Sequence, residues 1–88
     1  MRIEVTRTGG FAGIPRRAVL ETSGRPDGPH LESLAREVVS AAPARPAPGV
    51  PDGFSYEIAA AGRTVHFADP HLTPAQRELV QAVLSEGA

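Results

Sequence analysis

The chain has 88 residues, with no cysteine, no tryptophan and only four aromatic residues. The lack of cysteine excludes a disulfide framework and a thiolate site, and it fits a reducing compartment. No apolar run approaches the roughly 20 residues that span a bilayer. The net charge of −1 argues against a general nucleic-acid binder, which needs a basic face. We therefore expect a cytoplasmic protein without a membrane or nucleic-acid partner.

The length predicts a single domain over residues 1–88. We also expect the protein to be a monomer when free. A domain of this size buries only about 60–65% of its unfolded surface, so its margin of stability is thin. The proline-rich segment at 43–52 is predicted to be an extended connector, which we place within the domain because neither half could bury a core alone. The alternating start of the chain, with an acid at Glu4, is atypical of a signal peptide.

The first 22 residues predict a β-hairpin. Residues 1–8 alternate apolar and polar side chains, as a half-buried strand does, and residues 15–22 supply the partner strand. A one-residue shift would turn every side chain to the other face, so the pattern also predicts the register. That register places Ile3 opposite Leu20 on the apolar face.

Charged residues pair at both ends of this predicted hairpin. Arg2 faces Glu21 on the outer face, where opposite charges are favourable. Arg7 faces Arg16 at the base of the loop, where two like charges are mildly destabilising. Either the two arginine side chains extend separately into water, or they bind an acidic group of a partner.

The loop of this hairpin, Gly9–Ile14, is the stretch around which the chain is organised. Its three glycines allow backbone angles with positive φ, so the backbone shapes the loop. Such loops carry function more often than the elements that they join. Phe11 within the loop has two readings: it folds back over the core as a lid, or it is an exposed anchor for a partner.

Two amphipathic helices are predicted in the rest of the chain. The first begins with Pro29 and has a buried face that repeats every three or four residues, formed by Leu31, Leu34, Ala35, Val38, Val39 and Ala42. The second follows a capping box at Thr73–Gln76 and buries Leu79, Val80, Val83 and Leu84.

A second hairpin lies between the helices. Alternation over residues 54–60 and a tight turn at Ala61–Gly62 place Ile58 opposite Val65, and Glu57 opposite His66 on the outer face. The element order is therefore ββαββα. It predicts an α+β fold, with an antiparallel sheet of about four strands and two helices on one face.

No pattern in the sequence supports catalysis. No nucleophile lies in a recognisable context, and the glycine loop lacks the GK[ST] that follows a phosphate-binding loop. His66, Asp69 and His71 are the only candidate metal ligands, but their spacing matches no established motif, so we predict neither a metal site nor a cofactor.

The segment RIEVTRTGGFAGI, followed by Arg16 and Arg17, resembles the start of the emfourins. The resemblance is specific over residues 1–22 and looser over the rest, and the segment at 43–52 has no match. Emfourins are small protein inhibitors of thermolysin-like zinc metallopeptidases such as protealysin. The resemblance thus implies a non-enzymatic inhibitor whose partner is such a peptidase.

This resemblance suggests how the loop would act. Thermolysin-like enzymes favour a bulky apolar residue just after the scissile bond. Phe11 or Ile14 would fill the enzyme pocket that accepts this residue. The predicted peptidase-binding residues are the loop, Gly9, Gly10, Phe11, Ala12, Gly13 and Ile14, and a basic collar of Arg7, Arg16 and Arg17. The alternative is a binding module or folding aid for another protein, using the same loop or an exposed strand edge.

Overall fold

The computed structural model describes residues 1–9, 15–41, 53–69 and 72–87. The described elements follow the predicted order ββαββα. Their bounds are β1 Arg2–Gly9, β2 Arg16–Glu21, α1 Gly28–Ala41, β3 Phe54–Ala60, β4 Arg63–Ala68 and α2 Pro74–Glu86. The proline-rich connector predicted at 43–52 lies outside the described residues, as does Ala42.

The strands form one antiparallel sheet in the order β2-β1-β3-β4. β1 is central and pairs with both β2 and β3, so the two predicted hairpins join through their first strands. α2 contacts β1 and β2, while α1 contacts β3 and β4. The predicted α+β fold, with both helices against one face of the sheet, is therefore confirmed.

The register of the first hairpin is confirmed, with Ile3 opposite Leu20 and Arg2 opposite Glu21. The expected ion pair across that second position does not form. The Arg2 guanidinium lies 3.5 Å from Glu4 on its own strand. The Glu21 carboxylate lies 2.8 Å from the ammonium group of Met1 and also accepts a hydrogen bond from Ser23. Strand pairing thus follows the apolar pattern, whereas long charged side chains select other neighbours.

The second hairpin also has its predicted register, including Ile58 opposite Val65 and Glu57 opposite His66. Its two-residue turn, Ala61–Gly62, has positive φ at both positions, 52° and 73°. This backbone matches the right-handed twist of the flanking strands. Glycine adopts it freely, whereas alanine does so at a steric cost.

The core lies between the sheet and the two helices. Its largest fully buried side chains come from both layers: Ile3, Val5, Ile58, Leu79 and Val83. Both predicted helix faces are buried at every described position. α1 begins one residue earlier than predicted, so Pro29 is its second residue. These contacts fix β1 and β2, which carry the two ends of the predicted binding loop.

Candidate functional site

Gly9 is the described start of the predicted binding loop. β1 ends there with φ +89°, a left-handed conformation that favours glycine. A Cβ at this position would lie 3.1 Å from the carbonyl oxygen of Gly53, so the neighbouring backbone also favours glycine. The other predicted loop residues, Gly10, Phe11, Ala12, Gly13 and Ile14, lie outside the described residues. Their role in binding stays a prediction.

Arg7 and Arg16 face each other across β1 and β2, as the register predicted. The Arg7 guanidinium lies over the Phe54 ring, with Cζ 4.3 Å from the ring centroid. Arg16 donates a hydrogen bond from Nη2 to the carbonyl oxygen of Leu84 near the end of α2. Each like charge therefore has its own protein contact, and neither arginine simply extends into water.

Arg17, the third predicted collar residue, lies on the other face of the sheet. Successive side chains of a strand alternate between faces, so Arg17 shares a face with its register partner Thr6. Its Nε lies 2.8 Å from Oε1 of Glu4, and this hydrogen bond holds the pKa of the Glu4 carboxyl below its usual value. The structure thus brings Arg7 and Arg16 together and separates Arg17 from them.

A pocket of about 290 Å³ lies beside Arg7 and Arg16, on the helix face of the sheet. We call it the arginine pocket. Sequence reasoning missed it because half its lining comes from α2. Its lining residues are Arg7, Arg16, Tyr56, Asp69, Leu72, Arg77, Val80, Gln81, Leu84 and Ser85. The signal for the α2 contribution was the spacing of residues 77, 81 and 84, which places them on one helix face once Thr73 fixes the helix start.

Tyr56 forms the inner wall of this pocket. It is buried, stacks on Phe67 with ring centroids 5.6 Å apart, and pairs with Arg7 across β3 and β1. Burial raises the pKa of its hydroxyl, and the nearby charge of Asp69 raises the pKa further. Arg7 and Arg77 act in the opposite direction. The phenol therefore lies near charges on β1 and on α2, and near Asp69, which follows β4.

The three candidate metal ligands do not form a cluster among the described residues. His66 lies on the outer face, with Nε2 3.6 Å from the Glu57 carboxylate, in the cross-strand pair that the register predicted. Asp69 lies at the arginine pocket, where its Oδ2 accepts a hydrogen bond from the Phe54 amide. His71 is outside the described residues. No group of three or more possible ligands occurs in the described part of the chain.

The fold and the site define a class: a small α+β protein with a basic pocket beside the ends of the two strands that flank its glycine-rich segment. The Emfourin family model matches residues 5–84, and the chain belongs to that family. The match spans both hairpins and both helices, well beyond the 22 residues that carry the specific resemblance. Emfourins are metallopeptidase inhibitors, so membership implies a protease as protein partner and a function other than catalysis.

Other comparisons add little to this assignment. Neither a curated protein nor a solved structure matches the chain. Among the described residues, no helix is both long enough and apolar enough to cross a membrane. The assignment therefore rests on the family match together with the observed fold.

Proposed function

We propose that this protein inhibits thermolysin-like zinc metallopeptidases by inserting the Gly9–Ile14 loop into the active-site cleft. The observation that carries the proposal is the Emfourin match over residues 5–84. A protein inhibitor of a peptidase needs a segment that enters the cleft and a scaffold that holds this segment. The chain supplies a candidate for each.

The scaffold is the central position of β1 in the sheet. β1 is paired on both sides, and its last residue, Gly9, is still in register with Phe54 of β3. β2 begins at Arg16, and the Arg16 side chain donates a hydrogen bond to the Leu84 carbonyl oxygen of α2. The described residues on the two sides of the loop are therefore held by the sheet and by α2. Holding a binding segment in place reduces the conformational entropy lost on association.

Charge near the loop supports the same role. Arg7 lies two residues before Gly9, and Arg16 lies two residues after Ile14. Positive groups that flank a docking segment steer it toward an acidic cleft and increase the association rate. Arg17 contributes less to this effect, because its guanidinium is paired with Glu4 on the opposite face.

The loop itself would act as a substrate mimic. Phe11 or Ile14 would occupy the pocket for the residue that follows the scissile bond, and a loop carbonyl would approach the catalytic zinc of the peptidase. A catalytic zinc keeps one coordination position open for water or substrate. The inhibitor needs no metal of its own for this mechanism.

A titration of purified enzymes tests the proposal. We expect the protein to inhibit a thermolysin-like peptidase at a one-to-one ratio and to leave a serine protease at full activity, since the mechanism uses the zinc cleft. Unchanged metallopeptidase activity at micromolar inhibitor would contradict the proposal. That result would instead favour a binding module or folding aid for another protein.

A further inference from the structure

The helix-facing positions of β1 and β2 change character at one row of the sheet. Along β1, the buried side chains Ile3 and Val5 are followed by Arg7. β2 shows the same change, because Arg16 stands where the pattern of Leu20 and Ala18 would place another apolar residue. The register sets these two arginines side by side. On the face that α2 covers, the apolar core is therefore bounded by the two arginine side chains.

α2 adds a third guanidinium at the same place. Arg77 lines the pocket together with Gln81 and Ser85, which lie one and two turns further along the helix. The lining contains three arginines and one carboxylate, that of Asp69, so its formal charge is +2. This excess is notable in a chain whose net charge is −1.

The single carboxylate of the pocket is already engaged. Oδ2 of Asp69 accepts a hydrogen bond of 3.0 Å from the Phe54 amide, and the Asp69 amide donates to the Phe54 carbonyl at 2.9 Å. These bonds hold Asp69 against the start of β3. Among the described residues, no ion pair within 4 Å joins Asp69 or any other carboxylate to the three pocket arginines.

Four of the five described arginines outside the pocket behave differently, Arg63 being the exception. Arg2, Arg17, Arg25 and Arg36 each lie within 4 Å of a described aspartate or glutamate. The pocket arginines instead contact an aromatic ring in the case of Arg7 and a backbone carbonyl in the case of Arg16. An excess of guanidinium groups over carboxylates around a small concave site suits the binding of an anion.

We propose that the arginine pocket binds a carboxylate. The planar fork of arginine matches a carboxylate through two parallel hydrogen bonds, and Tyr56, Gln81 and Ser85 add neutral donors to the lining. A volume of about 290 Å³ accepts a small organic acid or one acidic side chain. Either source presents the same chemical group. The proposal goes beyond the inhibitory loop, because it uses residues of β3 and α2.

A titration of the free protein with citrate tests the site. Tyr56 is the only tyrosine and the chain has no tryptophan, so fluorescence reports directly on the pocket wall. Sodium chloride at matched ionic strength controls for screening. We expect a saturable change with citrate and none with chloride, together with shifts of the Nε–H resonances of the pocket arginines in nuclear magnetic resonance spectra.

Two single-charge variants identify the residues responsible. Arg77→Gln removes an exposed pocket cation, and Arg63→Gln removes an exposed cation beside the Ala61–Gly62 turn at the opposite end of the sheet. We expect citrate to bind at least tenfold more weakly to Arg77→Gln and normally to Arg63→Gln, with equal melting temperatures. Equal affinity of the two variants, or equal effects of citrate and chloride, would overturn the proposal.

Inhibition assays with the same variants distinguish the two sources of the carboxylate. A tenfold weaker inhibition by Arg77→Gln than by Arg63→Gln would assign the carboxylate to the peptidase. Equal inhibition, with citrate binding still lost only in Arg77→Gln, would assign it to a small organic acid. A wild-type protein that does not inhibit would contradict the proposed function, while the citrate titration would still decide the carboxylate site.

Discussion

Single residues at the loop end of the sheet divide the predicted basic collar between two faces. Arg7 and Arg16 are in register and lie on the helix face, whereas the neighbouring Arg17 lies on the outer face beside Glu4. The alternation of a strand makes this separation unavoidable for adjacent residues. Adjacent arginines in the sequence therefore do not form one positive patch, and a partner bound to one face contacts only some of them.

Tyr56 gives a residue-scale prediction about pH. Its pKa is raised first by burial and then by Asp69, so the phenol should ionise above the ordinary value of about 10. A raised folded-state pKa favours the neutral form. The resulting stability is therefore present below the unfolded pKa and is lost as pH rises through the folded pKa.

Ultraviolet absorbance of the phenolate measures this pKa directly, because the chain has one tyrosine and no tryptophan. The matched control is the same titration in denaturant. Arg7→Gln should raise the midpoint further, since Arg7 opposes the shift. Identical midpoints for the folded and the denatured protein would exclude this description of the pocket wall.

Ala61 gives a second prediction at this scale. Its φ of 52° belongs to the left-handed region, which costs most residues about 1–2 kcal/mol, whereas asparagine tolerates it. Ala61→Asn should therefore stabilise the protein, by up to about 1 kcal/mol. Thermal unfolding checks this, with Ala61→Val as the control that should destabilise. A lower melting temperature for Ala61→Asn would show that the turn has another geometry.

Secondary-structure elements were predictable wherever a local pattern determines them. Both hairpin registers followed from alternation, because a shift by one residue would expose Ile3 or Ile58. The pairing of β1 with β3 was not predicted, since no turn connects these strands and α1 lies between β2 and β3 in sequence. Arg77 was missed for the same reason, because its neighbours at the pocket come from distant strands.

The start of α2 carries the element-scale prediction. Thr73 Oγ1 accepts a hydrogen bond from the Gln76 amide at 3.1 Å, and Gln76 Oε1 accepts one from the Thr73 amide at 2.9 Å. Thr73→Ala removes the first of these bonds and should cost about 1 kcal/mol, which is about 4–8 °C in melting temperature. Thr73→Ser keeps the hydroxyl and should melt near the wild type. Equal melting of both variants would contradict a stabilising role for the cap.

At the scale of the whole molecule, the core and the proposed binding loop are formed by different residues. The described core comes from the sheet face and both helices, and its largest fully buried side chains are Ile3, Val5, Ile58, Leu79 and Val83. The binding role is assigned to Gly9–Ile14, of which only Gly9 is described. The family resemblance predicts the role of the loop from the sequence, whereas the contacts that hold β1 and β2 on its two sides are visible only in the structure.

Phe11→Ala, measured for both melting temperature and inhibition of a thermolysin-like peptidase, tests the central claim most directly. An exposed anchor should leave melting nearly unchanged and weaken inhibition by about 2 kcal/mol or more, the scale of an interface hot spot. Leu79→Ala is the control, because this fully buried residue should cost about 2–5 kcal/mol of stability while the folded fraction keeps its affinity. If the Phe11→Ala protein melts at a much lower temperature but inhibits normally when folded, Phe11 belongs to the core. That result would contradict its proposed role as an exposed anchor.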